Sequence, residues 1–439
     1  MNGSEQKTEN LLDANQSKFN EIISQPKKGG RRYILLLWAM LGPGLIAALA
    51  DNDAGGIISY AVTGTQFGIG LFIPLTLCLV FITYAVQEMA MRLGVVTSKG
   101  YTHLVRKKYG KFWMYYHITA LLIENLITLI TEFIGMSAGL VILGLPLWGS
   151  VLVSLLLVLS ITVFTGYWAK ERLALLIGFL NVAFIIVAFI TKPSFQAIGN
   201  SFLTWSIPAN SDNIALYIIA LIGNAVAPWM IFYQNSAYID KGVVSKNIRF
   251  GRIDTCIGCI CQVVIAACII IIGASLFGNV PDIASAGPID IIAALNTNVG
   301  FWAALLFGLG LFNAGLLASI TVSLSSAWSV AEAFGWSKSL NDKIKEAPKF
   351  YAIYFINVFI AAAIVLIPNL PLNYIAVIAQ VVGGILMAPI LIFLTLLTSN
   401  KELMGEYKNS LLSNIRAWIT VAILIGMAFA TILNSLIGS

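Results

Sequence analysis

The 439-residue chain is 59% hydrophobic and only 10% charged, with a net charge of +6. Water-soluble domains carry about a quarter charged residues, so an ordinary soluble domain is excluded, and the short alternating segments of a transmembrane barrel are missing. Apolar runs of about 20 residues, enough to cross roughly 30 Å of hydrocarbon, recur along the chain, and the fold class read from them is an all-α membrane protein.

In chain order, residues 1–33 are polar and charged with no apolar core, which reads as a cytoplasmic tail rather than a secretory leader. Eleven spans follow, at about 34–62, 68–92, 112–142, 146–166, 173–191, 214–237, 253–278, 301–334, 351–368, 372–398 and 414–436. With the N-terminus in the cytoplasm, alternation of the loops puts 25 of the 26 Lys and Arg residues on the cytoplasmic side, Lys192 being the exception. Positive residues concentrate on that side in multi-pass proteins, so the count supports both the number of spans and an external C-terminus. The same distribution explains the positive charge without nucleic acid; the expected partner is the lipid bilayer. Short loops and the absence of targeting features suit a prokaryotic inner (plasma) membrane.

Charged groups inside a bilayer are costly and persist where they face a pathway or a partner. The candidates are Asp51 and Asp53 in span one, Glu88 near the end of span two, and Glu124 and Glu132 in span three, with the amides Asn224, Asn313 and Gln380 also deep in apolar sequence. Glu332, at the cytoplasmic end of span eight, is expected to be solvated. Cys78, Cys256, Cys259, Cys261 and Cys268 all lie in apolar runs. The helical pitch spreads Cys256, Cys259 and Cys261 over two faces with no histidine nearby, so they read as packing rather than metal ligands.

Two spans are interrupted. Span one contains Asp51-Asn52-Asp53 next to Gly55-Gly56, and span six contains Gly223-Asn224-Ala225-Val226-Ala227-Pro228. Glycine is a poor helix former, and Pro228 removes a backbone donor. Unwound carbonyls at membrane depth are tolerated where they line a cavity or an ion site. Interruptions at corresponding places in two halves mark the binding site of an inverted-repeat transporter. Spans one and six are five apart, which implies an inverted 5+5 repeat: a ten-helix core over 34–398, with repeats at 34–191 and 214–398, and an additional helix at 414–436.

At these residues the chain resembles the NRAMP family of divalent metal transporters, which has the LeuT-type fold. Asp53-Ala54-Gly55-Gly56 stands where the family has Asp-Pro-Gly-Asn, and Ala227-Pro228-Trp229-Met230 where it has Met-Pro-His-Asn. Arg92-Leu93-Gly94-Val95-Val96-Thr97, Glu132-Phe133-Ile134-Gly135, Gly310-Leu311-Phe312-Asn313-Ala314-Gly315 and Gln380-Val381-Val382 continue the likeness in order. The resemblance implies metal ligands at Asp53, at Gly56, at the carbonyls of Ala50 and Asn224, and at Ala227, with Gln380 and Asn224 available to hold waters of the ion.

Two of those positions depart from the family: its asparagine has become Gly56 and its methionine Ala227. Loss of the thioether removes the soft ligand that favours transition metals. A roomy, oxygen-lined site suits Mg²⁺, which keeps several of its waters, and the pattern is similar to the NRAMP-related magnesium transporter (NRMT) branch, with Mn²⁺ also accepted. Trp229, Gln234 and Leu129 stand where the family has proton-route residues. The expectation is therefore uncoupled alternating-access transport, to which the membrane potential gives a divalent ion about 4.6 kcal/mol per 100 mV. The ion is cargo, and no resident cofactor is expected. The alternatives are a proton-coupled Mn²⁺/Fe²⁺ transporter and an amino-acid or organic-solute symporter of the same fold, the latter disfavoured because the acidic pair repels a substrate carboxylate. Spacings that mark an enzyme are missing.

Overall fold

The computed structural model describes residues 41–164, 167–207, 214–278, 288–368 and 372–437, together with the isolated position 17. The tail assigned to 1–33 and the start of span one lie outside the described residues. Every described element is helical. Span one is two half-helices, α1 (Pro43–Asp51) and α2 (Ala54–Phe67), separated at Asn52 and Asp53. Span two is α3 (Phe72–Thr97), and α4 (Tyr101–Tyr109) leads into span three, α5 (Lys111–Val141). Span four is α6 (Leu147–Phe164); span five is α7 (Tyr167–Phe179) and α8 (Val182–Ile190), followed by the short α9 (Phe195–Thr204).

The second half repeats the interruption. Span six comprises α10 (Ile214–Ala225) and α11 (Pro228–Lys241). Then come α12 (Ile248–Ala274), the short α13 (Pro288–Asn298), α14 (Phe301–Phe334), α15 (Pro348–Val365), α16 (Leu372–Ser399), the one-turn α17 (Lys401–Met404) and α18 (Leu411–Ile437). Among the described residues nine helices, counting α7–α8 and α10–α11 as one each, are long and apolar enough to cross a membrane. The shorter apolar helix Leu147–Val163 and the half-helices of span one account for the other two of the eleven expected.

Three differences from the sequence expectation have physical causes. Span five begins at Tyr167 rather than 173, because Lys170 and Glu171 are buried against neighbouring helices instead of lying in a loop. It is also broken at Leu180 and Asn181, where Asn181 Nδ2 donates to the Leu49 carbonyl at 3.1 Å and Asn181 Oδ1 accepts from Asn313 Nδ2 at 2.7 Å. Glu332 is buried, not solvated: its Oε1 accepts from Lys338 Nζ at 2.9 Å and from Ser236 Oγ at 2.7 Å.

The interior of the bundle is where the half-helices sit. Every residue of α1 is buried, and α2 is held tightly against α12. A side chain at Gly64 would overlap the Ile270 carbonyl, and one at Gly273 would overlap that of Ala61, so the two backbones approach as small residues allow in membrane helix pairs. The outer helices turn large apolar residues outward, Phe81, Leu156 and Phe429 among them, as a surface facing hydrocarbon requires.

Candidate functional site

The two breaks are produced by specific losses of helical hydrogen bonding. In an unbroken helix the carbonyl of Ala50 would accept from Ala54 N–H and that of Asn224 from the amide of residue 228. Ala54 N instead donates to Glu132 Oε2 at 2.9 Å. Pro228, the first residue of α11, has no N–H to give. Both carbonyls are therefore left without the donor four residues on. The next carbonyl along, Ala225 O, is taken by Thr83 Oγ1 at 3.1 Å and reached by Gln262 Nε2 at 3.5 Å.

Asp53 stands in extended conformation at the start of α2, and its Oδ1 accepts from Gly56 N at 2.5 Å. That is an N-cap, favoured because the orphan amides and the positive end of a helix both attract an anion. The same oxygen accepts from Gln380 Nε2 on α16 at 3.4 Å. Asn224, at the end of α10, lies against Gly56. The structure therefore brings Asp53, Gly56, Asn224 and Gln380 to one place, with Ala50 and Ala227 at the adjoining chain breaks; all six are buried.

The other acids have separate duties. Asp51 Oδ2 accepts from Gln262 Nε2 of α12, and Asn52 Nδ2 donates to the Gln262 carbonyl at 3.0 Å. Gln87 Nε2 of α3 reaches Gln262 Oε1 at 3.5 Å. Asp51 is thereby tied to α12, whereas Asp53 faces α16. Glu132 caps α2 through Ala54. Glu124 Oε1 accepts from Thr128 Oγ1 at 3.1 Å and lies beside Gly383, while Glu124 Oε2 is buried with no hydrogen-bond partner. Glu88 is neutralised near the C-terminal end of α3 by Arg92 at 3.0 Å and Arg252 at 2.9 Å. Among the described residues no group of three or more His, Cys, Asp or Glu is placed to hold a metal ion, and of the four cysteines of α12, Cys256 is exposed, Cys259 buried, and Cys261 and Cys268 intermediate, as the pitch predicts.

A second polar cluster, unanticipated from sequence, fixes the foot of α1. Asp254 of α12 accepts from the amides of Gly42 at 3.0 Å, Gly44 at 2.8 Å and Leu45 at 3.1 Å, and from the Tyr238 hydroxyl at 2.7 Å. Beside it Lys241 Nζ pairs with Glu171 Oε1 at 3.0 Å and donates to the Leu41 carbonyl at 3.2 Å. The side chains of Lys241 and Glu171 are 1% and 4% exposed. Helices α7, α11 and α12 thus grip the N-terminal end of the half-helix that leads to Asp53. Gln262 had a legible signal, a lone amide inside an apolar run. Asp254, Lys241 and Glu171 had none, since each sits near the end of its run.

Residues 44–434 match the Natural resistance-associated macrophage protein-like (Nramp) family. The chain is 27% identical over 412 residues to a Natural resistance-associated macrophage protein 2 homolog of Dictyostelium discoideum, covering 90% of this chain and 63% of that protein. It is 27% identical over 451 residues to the divalent metal cation transporter MntH of Levilactobacillus brevis, covering 95% and 94%. The fold matches a crystal structure of the Eremococcus coleocola manganese transporter with a TM-score of 0.72 at 20% identity, covering 93% of this chain and 89% of that one. It also matches MhsT in complex with L-phenylalanine, with a TM-score of 0.54 at 16% identity, covering 88% and 98%. At these identities the solved structures establish the architecture, a LeuT-type helical fold with spans one and six broken.

Proposed function

The chain belongs to the Nramp family, and from that premise we propose that it carries divalent metal cations, Mg²⁺ and also Mn²⁺, across the membrane without coupled protons. It is a multi-pass membrane protein and not an enzyme. The proposed cage consists of the Asp53 carboxylate, the Ala50 and Asn224 carbonyls, and waters accommodated at Gly56 and Ala227 and held by Gln380. The observation that carries the proposal is the pairing of one aspartate with two carbonyls that have lost their helical donors, in a place where residue 227 offers a methyl group. Hard oxygen donors with room for water suit an ion that dehydrates reluctantly.

The proposed cycle starts with a hydrated ion meeting Asp53 at the break of span one. Spans one and six then rock against the remaining helices and release the ion on the other side. We also propose that residues 34–191 and 214–398 are the two inverted repeats, that 414–436 is an added helix, and that the N-terminus is cytoplasmic and the C-terminus external in a cell inner membrane, as the placement of Lys and Arg supports.

Flux into proteoliposomes, with Mg²⁺ and Mn²⁺ compared and lumenal pH followed, tests the reading. Mg²⁺ entry at constant pH, abolished by Asp53→Ala, is the expected result. Undiminished uptake by Asp53→Ala would remove the central assignment. A second reading, proton-coupled Mn²⁺ transport, is favoured by the buried carboxyls Glu124 and Glu132 and by the names of the relatives. Mn²⁺ entry with acidification and no Mg²⁺ transport would establish it instead.

A further inference from the structure

Helices α1, α7 and α12 run in the same direction with their N-terminal ends together. A methyl group added at Gly42 would meet Glu171 near the start of α7, and one at Gly44 would meet the backbone of Thr255 in α12. Further along, one added at Gly178 of α7 would meet the Leu49 side chain. Between these helices lies a cavity of about 410 Å³. Leu41, Leu45 and Leu49, four residues apart, form its floor and are buried, whereas Val182 of α8 and Ile260 and Val264 of α12 stand on its walls half-exposed.

This lining does not hold water. The Cys261 thiol is the sole side-chain group on it able to hydrogen bond, and a bound water needs roughly two to four polar partners. The walls belong to helices long and apolar enough to cross the membrane, and their exposed residues open the cavity onto hydrocarbon. A lipid tail is as apolar as leucine, and a recess left empty forfeits the dispersion contacts of its lining. The occupant that fits is an acyl chain.

Length and charge say which lipid supplies it. From Leu41 to Leu49 the floor advances about 12 Å at the helical rise, close to the roughly 15 Å of hydrocarbon in one leaflet, half of about 30 Å. One chain of one leaflet therefore fills it, entering at Leu41, because Leu49 lies beside the break of span one. Exposed cations gather at the entry end: Arg172 of α7, Lys246 just before α12, and Arg249 in its first turn. The acids of these segments do not oppose them, since Glu171 is buried against Lys241 and Asp254 is buried on the amides of α1. Basic clusters beside membrane helices recognise anionic headgroups.

We propose that this groove binds one acyl chain of an anionic phospholipid, with the headgroup phosphate held by Arg172 and Arg249, so that the lipid packs directly on the half-helix that leads to Asp53. The site stands whichever ion is carried.

The test is titration of the full-length protein in detergent with phosphatidylglycerol and with phosphatidylcholine of the same chains, read by native mass spectrometry and by melting temperature. The unmodified protein is expected to retain one phosphatidylglycerol on the order of tenfold more tightly than phosphatidylcholine and to melt higher with it. Val264→Trp fills the groove with an apolar side chain. It is expected to melt like the unmodified protein without lipid, yet to bind phosphatidylglycerol on the order of tenfold more weakly. Arg172→Gln/Arg249→Gln is expected to bring phosphatidylglycerol down to the affinity of phosphatidylcholine. Independently of any variant, phosphatidylglycerol carrying a diazirine midway along one chain is expected to label Leu45 or Leu49, buried residues that lipid outside the groove does not touch. Equal affinity for the two lipids, unweakened binding by Val264→Trp, or labelling confined to exposed residues such as Leu156 overturns the inference.

Discussion

Removing the charge of Lys241 tests whether the foot of α1 is held electrostatically. Lys241 Nζ sits 3.0 Å from Glu171 Oε1, with both side chains almost wholly out of solvent. In Lys241→Met the apolar stem is retained, and Glu171 is left as a buried carboxylate whose remaining neutral contact is the Tyr167 hydroxyl at 3.2 Å. Breaking a buried pair by removing one partner costs about 3–5 kcal/mol, whereas replacing both partners by apolar groups is often neutral. The expected order of stability is therefore unmodified protein, then Lys241→Met/Glu171→Met close behind, then Lys241→Met well below. The assay is thermal unfolding in detergent, followed by tryptophan fluorescence, with the single and double variants purified in parallel. The double variant lying below Lys241→Met, or Lys241→Met melting with the unmodified protein, would refute the reasoning and assign the grip on α1 to Asp254 alone.

Three further outcomes are expected. Ala227→Met, which places a thioether at the break of span six, should shift competition flux toward Mn²⁺ over Mg²⁺ by about tenfold, roughly 1.4 kcal/mol; unchanged competition would show that residue 227 does not face the ion. Gly64→Leu should destabilise the protein by at least about 1–3 kcal/mol, because its side chain meets the Ile270 carbonyl, and a wild-type melting temperature would mean that α2 and α12 are less tightly apposed. Arg92→Met should cost about 1.5–3 kcal/mol, read from detergent melting. Arg92 donates to Tyr407 O at 2.5 Å and Asn409 Oδ1 at 2.7 Å as well as pairing with Glu88. The half-exposed Arg252 still pairs with Glu88, which keeps the loss below that of Lys241→Met.

The long spans were legible because their signal is local. The run 301–334 is read from apolar residues alone, and the helix observed is Phe301–Phe334. The break in span one was equally plain, since two acids and two glycines inside an apolar run have few other uses. The detail of that break was not. Diversion of the Ala54 amide depends on Glu132, 78 residues away, and the anchoring of α1 depends on Asp254, more than 200 residues away. Lys241 and Glu171 read as loop charges by position, and only the convergence of three helices buries them. The short helices α4, α9 and α13 were missed for the opposite reason, as they are too brief and too polar to register against the spans around them.

The loss of helical donors at the two breaks has a consequence for how such a site changes over generations. Two of its proposed ligands are main-chain oxygens, and every amino acid that position 50 or 224 accepts brings the same atom. Drift at these positions leaves that half of the coordination set intact, and variation is channelled into side chains such as those at 56, 224, 227 and 380. The substitutions able to erase the main-chain half are at residues that do not touch the ion. Pro228→Ala would return an N–H to the Asn224 carbonyl, and Glu132→Leu would free the Ala54 amide for Ala50. Ancestry of cargo preference in this lineage is therefore to be sought in the side chains, and ancestry of the site itself in a proline and a glutamate beside it.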